Sequence, residues 1–563
     1  MAPKRKSVKG GVEPKNKKVR AIIPQKDPDT LLSLEELTKL SNEIDESLKF
    51  NNLVPLLEQF KLIKTKLIKN IDSDVENTAR KLALLLYRNF NKINDEIISN
   101  GGNSDRSALS EDKKIIIKWL SEKYTTFKDI ICGFIKDKLA GPTSLQLDLL
   151  DIILNFIKSE SQRKSSTSEV IFFPTQSYKS LIESILNSKN GKVSFDGTSE
   201  NFIILEFLDK LQKYWDLQFY FYNNLSEVLN EWKQEKSEKD LQLVFANFLT
   251  ILRKGLLFNE KTLEDEPLWI APNKEGKLPS SLYKHTLFKS QFQKSVIAML
   301  SYPLSQEQYK SVLMILHKRI IPYMSQPQAL MDFLTDCYDL TDDLIVPILA
   351  LNSLYELMKS YNLEYPDFYS KLYSLLTPEL LYTKYRSRFF RLCDLFLSST
   401  HLSANLVASF IKKLARISLA ASASGVVIII PFIYNLLKKH PTCMIMLHRE
   451  DTETGYQDPF NSEEKNPLHT EAIKSSLWEL DTLMTHYHPN VATLAKIFGE
   501  PFRKPSYNME DFLDWSYNSL LQSEYDRKFK DKNSALEFEE FDKVLDAPNN
   551  GSKNSLLEGW TLV

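Results

Sequence analysis

Glycine is scarce. The chain holds 15 glycines in 563 residues, where ordinary soluble proteins would spend about 40 on that length. Tight hairpins and phosphate-cradling loops both need backbone conformations that glycine supplies, so β-hairpin architectures and nucleotide-binding turns have little material here. Cysteine is equally sparse. Cys132, Cys337, Cys393 and Cys443 stand far apart without paired spacing, which excludes a disulfide scaffold and points to a reducing compartment. The opening MAPKRKSVKGG has no apolar stretch, so no secretory signal is expected. Gly-Lys-Ser/Thr loops, nucleophile elbows and Cys/His signatures are missing too, and no catalytic residue, cofactor or metal is assigned.

What is present is helix-forming material on a long chain. At 563 residues the chain exceeds what one core usually supports, and the composition favours an elongated array over several compact domains. The predicted fold is all-α, an α-solenoid of stacked helical hairpins of the HEAT or armadillo kind. Stripes recur on one face: Tyr309, Val312, Leu313, Leu316 and Ile320, then Leu344, Ile348, Leu351, Tyr355 and Met358. Such stripes need a neighbouring helix to cover them. Units begin near Tyr309, Leu344 and Glu379, each 35 residues after the last, a period suited to stacked hairpins. Thr377-Pro378 reads as a cap followed by a pre-set first turn, and a helix is predicted from Glu379 to Leu397.

One run tests the membrane alternative. Ile417 to Leu437 is uncharged over 21 residues, long enough to span a bilayer. Ile417 completes the preceding apolar stripe, however, and Ala-Ser-Ala-Ser-Gly from Ala421 reads as a stop. That leaves Val426 to Leu437, about 18 Å of helix against a hydrocarbon core of about 30 Å. A buried core helix is expected, with no membrane partner.

Charge is unevenly spread. Residues 1–20 carry eight Lys/Arg against Glu13, or +7, so the net −1 of the chain leaves −8 for the rest. Residues 1–29 are too polar to offset ordering entropy and are expected to form a disordered basic arm. Its clusters Lys4-Arg5-Lys6 and Lys15, Lys17, Lys18 have the bipartite spacing that fits two acidic pockets of an import receptor. Residues 30–300 form an N-terminal helical repeat region, interrupted by NGGNSDRS at Asn100. A second repeat region covers 301–448, an acidic loop 449–471, a helical cap 472–525 and a charged tail 526–563. In that tail one short helix is expected around Ala535 to Leu545.

The second repeat region carries a resemblance. From Asn362 it reads NLEYPDFYSKLYSLLTPELLYTKYRSRFFRLCDLFLSSTHLSANLVASFIKKLAR, then PFIYNLLKKHPTCMIMLH to His448, and SSLWELDTLMTHYHPNV follows from Ser475. These residues resemble the CCAAT-binding-factor family of ribosome-assembly factors, the likeness running from Tyr309 to Ile497. The resemblance implies a non-enzymatic nucleolar scaffold for the small (40S) ribosomal subunit and pre-rRNA processing. It further implies a stable heterodimer with another nucleolar assembly factor inside the small-subunit processome. The pairing surface would lie between Tyr309 and His448, with pre-ribosomal RNA met mostly indirectly.

Basic residues mark the candidate surface. Lys384, Arg388 and Arg391 flank the predicted stripe of Leu381, Tyr385, Phe389, Leu392 and Phe396. With Lys412, Lys413 and Arg416 on the next helix they are expected to form a ridge meeting an acidic protein segment or RNA phosphate. The body charge of −8 disfavours extensive phosphate contact, so a protein partner is placed first. Asp332, Asp336, Asp339 and Asp343 recur at four, three and four, a pattern also used by Mg²⁺–diphosphate enzymes. No second aspartate-rich helix accompanies it, and a hydrated face is the preferred reading. His440, Cys443, His448, His486 and His488 match no zinc spacing. A direct RNA-binding protein and a helical nuclear transport adaptor remain the alternatives to the scaffold.

Overall fold

The computed structural model describes residues 31–95, 111–165, 170–258, 267–270, 278–340, 343–361, 365, 367–447 and 457–526. Among them the chain is all-α, of the α-solenoid kind, with no β-strand and an isolated bridge between Val193 and Ser199. The basic arm, the Asn100 loop, the residues around His448 and the tail helix expected at Ala535–Leu545 lie outside the described residues.

Two compact units divide the chain. The first contains α1 (Leu34–Ser47), α2 (Leu53–Lys69), α3 (Ser73–Ile93), α4 (Glu111–Lys136), α5 (Ser144–Ser165), α6 (Thr175–Leu186) and α7 (Phe202–Leu211). One boundary falls inside α8 (Trp215–Glu235), after Phe221, and the units interleave, Val193–Ser199 belonging to the second and Leu257–Tyr283 to the first. To the second belong α9 (Glu238–Lys254), α10 (His285–Leu300), α11 (Gln306–Ile315), α12 (Met331–Asp339), α13 (Ile345–Tyr361) and α14 (Phe368–Ser374). It continues through α15 (Arg386–Leu397), α16 (Ala404–Ser418), α17 (Ala423–Lys439), α18 (Trp478–Leu483), α19 (Pro489–Ala495), α20 (Glu510–Leu513) and α21 (Tyr517–Tyr525).

In the first unit the helices pack on neighbours one or two places along the chain: α1 and α2 on α3, α2 and α5 on α4, α3 on α5, α4 on α6, α5 on α7. That ladder is what one-sided apolar stripes produce when every stripe is covered by its sequence neighbours. Ser33 starts α1 as a capping box with Glu36, satisfying two donors that the first turn leaves orphaned. Phe60, Phe90, Phe127, Phe134 and Phe156 interlock at centroid distances of 5.0 to 6.0 Å, each burial stabilising by about 1.5–3 kcal/mol. Farther along, the buried Asp216 clamps a loop by accepting backbone N–H bonds from Leu217, Trp269 and Ile270 at 2.9–3.0 Å. Burial wins over those donors and pushes its carboxyl up to about 6.

The second unit repeats the pattern, with α11 on α13, α12 on α13, α13 on α15 and α16 on α17. The uncharged run is split between two helices, because Ser418 ends α16 and α17 begins at Ala423. The expected stop at Ala421 therefore closes three residues sooner: Ser424 and Gly425 sit in the first turn of α17 instead of preceding it. Every residue of α17 from Ala423 to Leu437 is buried. A Cβ on Gly425 would lie 3.3 Å from the Leu381 side chain, so the small residue lets the two segments approach closely. No helix among the described residues is long and apolar enough to cross a membrane.

Candidate functional site

The predicted Glu379–Leu397 helix forms in two pieces. Pro378–Tyr382 is a 3-10 turn, Thr383 is extended, and α15 starts only at Arg386. Side chains drive the break: Thr383 Oγ1 donates to the Leu380 carbonyl at 2.9 Å and Arg386 Nη1 to the Leu381 carbonyl at 2.8 Å. Lys384 consequently lies in the turn before the helix, beside Tyr385 rather than one helical turn from Arg388.

The structure separates the six expected ridge residues into four environments. Lys412 does not face solvent. Its side chain is 0% exposed, with Nζ 2.7 Å from Glu479 Oε1 and 3.1 Å from Asp458 Oδ2, and it donates to the Ser476 carbonyl at 2.7 Å. Arg416 joins the same cluster, Nε lying 2.9 Å from Glu479 Oε1 and Nη2 3.4 Å from Asp458. The Glu479 side chain is also 0% exposed, and its Oε2 has no hydrogen-bond partner. Burial works against the Asp458 carboxylate, yet hydrogen bonds from Ser475 and the Phe460 backbone, with Lys412 beside it, hold it below the usual range. Asp458, expected in a solvated acidic loop, instead ties its segment to α16.

Lys413 is spent differently. Its ammonium donates to the Tyr373 carbonyl at 2.9 Å and lies 4.0 Å from that ring's centroid. Burial pushes its pKa down to about 8. Arg391 is taken by a bidentate pair with Glu510 at 2.7 and 2.6 Å, so α20 docks on α15.

Lys384 and Arg388 remain. Both stand over Tyr385, at 6.0 and 5.8 Å from the ring centroid, and among the described residues neither has a carboxylate within ion-pair distance. Arg388 Nη1 is buried without a hydrogen-bond partner, and burial lowers its pKa. Half-buried Arg388 thus carries a charge with no carboxylate to offset it among the described residues, which an incoming acidic side chain would supply. His317, with Nδ1 likewise buried and unpartnered, sits near enough for Arg388 to help lower its pKa, after the larger effects of burial and Lys318. It belongs to a π-helical turn, Leu316–Ile320, a distortion that often marks functional positions.

The aspartates do not gather. Asp339 pairs with Lys371, Asp343 lies 2.9 Å from Lys310, and Asp332 and Asp336 are exposed. No group of three or more His, Cys, Asp and Glu among the described residues is placed to hold a metal. His440 Nε2 instead meets the Leu397 carbonyl at 2.7 Å, and His488 caps α19.

Comparison with known proteins gives this arrangement its relatives. Residues 347–495 match the CBF/Mak21 family model, and residues 26–237 match the model for TPR repeats of nucleolar complex protein 4-like chains. Nucleolar complex protein 4 of Saccharomyces cerevisiae is 41% identical over 547 residues, covering 93% of this chain and 97% of the relative. Homolog A of Xenopus laevis is 31% identical over 89% of this chain and 92% of its own length. The Mus musculus homolog is 29% identical over 90% of this chain and 94% of its own.

Proposed function

Because this chain belongs to the nucleolar complex protein 4 family, we propose that it is a non-enzymatic nucleolar scaffold of ribosome assembly. More specifically, it acts in small-subunit (40S) biogenesis and pre-rRNA processing, held in a stable heterodimer with another assembly factor within the small-subunit processome. The observation carrying this reading is the 41% identity to a nucleolar complex protein along 93% of the chain. The geometry is consistent with it. Helices satisfy one another's apolar faces, buried charges are used to pin segments together, and the output left is binding energy rather than bond chemistry.

We assign the partner's acidic side chains to the surface of Lys384 and Arg388, the ridge residues that have neither an ion pair nor a hydrogen-bond partner among the described residues. Pre-ribosomal RNA is met mainly through that partner. The basic arm, Lys4, Arg5, Lys6, Lys15, Lys17 and Lys18, is assigned to an import receptor. Purification of the tagged full chain at high salt tests the pairing. A single stoichiometric nucleolar protein should remain, whereas loss of all bound material in proportion to salt would indicate phosphate contacts and reject it. Lys384→Glu with Arg388→Glu should lower retention of that protein without changing helicity; unchanged retention removes this surface.

A further inference from the structure

Arg386 opens α15 with a guanidinium that, among the described residues, meets only neutral groups: the carbonyls of Leu381 and Trp515 and, at 3.4 Å, the Ser424 hydroxyl. Burial lowers its pKa, so the charge is partly desolvated without a counter-ion. Next to it a cleft of about 380 Å³ is lined by Tyr382, Lys384, Arg386, Ser422, Ser424 and Tyr517. Tyr382 and Tyr517 are 60% and 55% exposed at its rim. One carboxylate, Asp514, also lines it, 4.0 Å from Arg391. The site thus offers two cations without a carboxylate partner among the described residues and two open aromatic faces, while Ser422 and Ser424 at the start of α17 bond each other at 3.0 Å, a set that matches a segment carrying both carboxylates and aromatic rings.

The chain itself carries such a segment. Residues 536–546 read LEFEEFDKVLD: five acids against Lys543, interleaved with Phe538 and Phe541. They lie outside the described residues, but the tether to them is short. From Tyr517 on the cleft, α21 runs nine residues to Tyr525, about 14 Å. The ten residue steps from Asp526 to Leu536 span at most about 33 Å. We propose that this cleft of the second unit binds the chain's own acidic–aromatic segment, Leu536–Asp546. Tethering at this length gives an effective concentration near the millimolar range, so even weak contacts keep the cleft occupied. The cleft shares Lys384 with the surface assigned to the partner, and the segment is therefore placed to compete there.

The experiment uses full-length protein and a fluorescein-labelled peptide of residues 533–548, read by fluorescence polarisation. Full-length protein carrying Glu537→Gln, Glu539→Gln, Glu540→Gln and Asp542→Asn has its own segment neutralised. It should bind the peptide at least tenfold more tightly than unsubstituted protein, whose segment competes. Adding Lys384→Glu, a change at an exposed turn residue, should weaken peptide binding at least fivefold with an unchanged circular dichroism spectrum. Equal binding to both proteins, no binding to the neutralised one, or indifference to Lys384→Glu each overturns the proposal. A concentration-dependent dimer of unsubstituted protein that dissolves on neutralisation overturns it in favour of a second copy. Oligouridylate that binds the neutralised protein through Lys384 and is not displaced by peptide overturns it in favour of RNA. None of these measurements needs the assembly partner, so failure here and failure of the pairing reading are separable.

Discussion

Replacing Lys412 by methionine keeps the length of the side chain and removes its charge from a fully buried pair. Glu479, also 0% exposed, then retains only Arg416 Nε at 2.9 Å, and its Oε2 is already without a hydrogen bond. Breaking a buried pair by removing one member typically costs about 3–5 kcal/mol; with Arg416 still present, about 2–3 kcal/mol is expected. Glu479→Met alone should cost less, about 1–2 kcal/mol, because Lys412 keeps Asp458 at 3.1 Å and the Ser476 carbonyl at 2.7 Å. The double substitution removes both desolvation penalties, so its cost should fall below the sum of the single ones by about 2 kcal/mol. Urea unfolding of the four proteins, followed by tryptophan fluorescence, closes the cycle. A coupling near zero, or a Lys412→Met protein as stable as its parent, would refute the assignment of Lys412 to the interior.

Gly197 has φ +73°, and a Cβ there would lie 2.8 Å from Gln308 Cγ and 3.1 Å from its backbone. Gly197→Ala should therefore destabilise by about 1–3 kcal/mol in the same unfolding assay. Lys413 titrates near 8 in the folded chain against an ordinary 10.5, so between those values the unfolded chain holds more protons and stability rises with pH. Lys413→Met should abolish that rise, whose size after solvent screening is on the order of 1 kcal/mol. Deleting residues 1–20 should leave partner binding intact and abolish nuclear entry, checked by fluorescence microscopy of the tagged chain.

The helical character was legible because low glycine content and three-and-four spacing are local properties. The burial of α17 was legible because its apolar run is too short for a bilayer. The destination of the basic residues was not. Lys412 sits in ANLVASFIKKLARIS, where the residues from Leu406 to Ile411 are all buried along with Leu414 and Ala415, and a charge so enclosed is itself a signal. Its counter-charges stand 46 and 67 residues downstream, at Asp458 and Glu479, and only the tertiary fold joins them. Glu479 carries the complementary hint: it shares a face with Leu483 on α18, both buried. The break before α15 was illegible for a different reason. The stripe through Leu381 and Tyr385 continues the helical period, while the carbonyls it would use are taken by the Thr383 and Arg386 side chains.

The covering of α17 also sets an order of events during synthesis. Tyr434 stacks on Phe502 at 4.5 Å and donates to the Lys504 carbonyl, 70 residues later; Asn435 exchanges two hydrogen bonds with Tyr507. At roughly 5–20 residues per second, the ribosome needs about 4–14 seconds to supply that lining after Tyr434 is made. During that interval a helix buried from Ala423 to Leu437 stands without its lid in the nascent chain. Slow translation or premature termination between Lys439 and Lys504 would lengthen the exposure, and the chain would depend most on chaperones there.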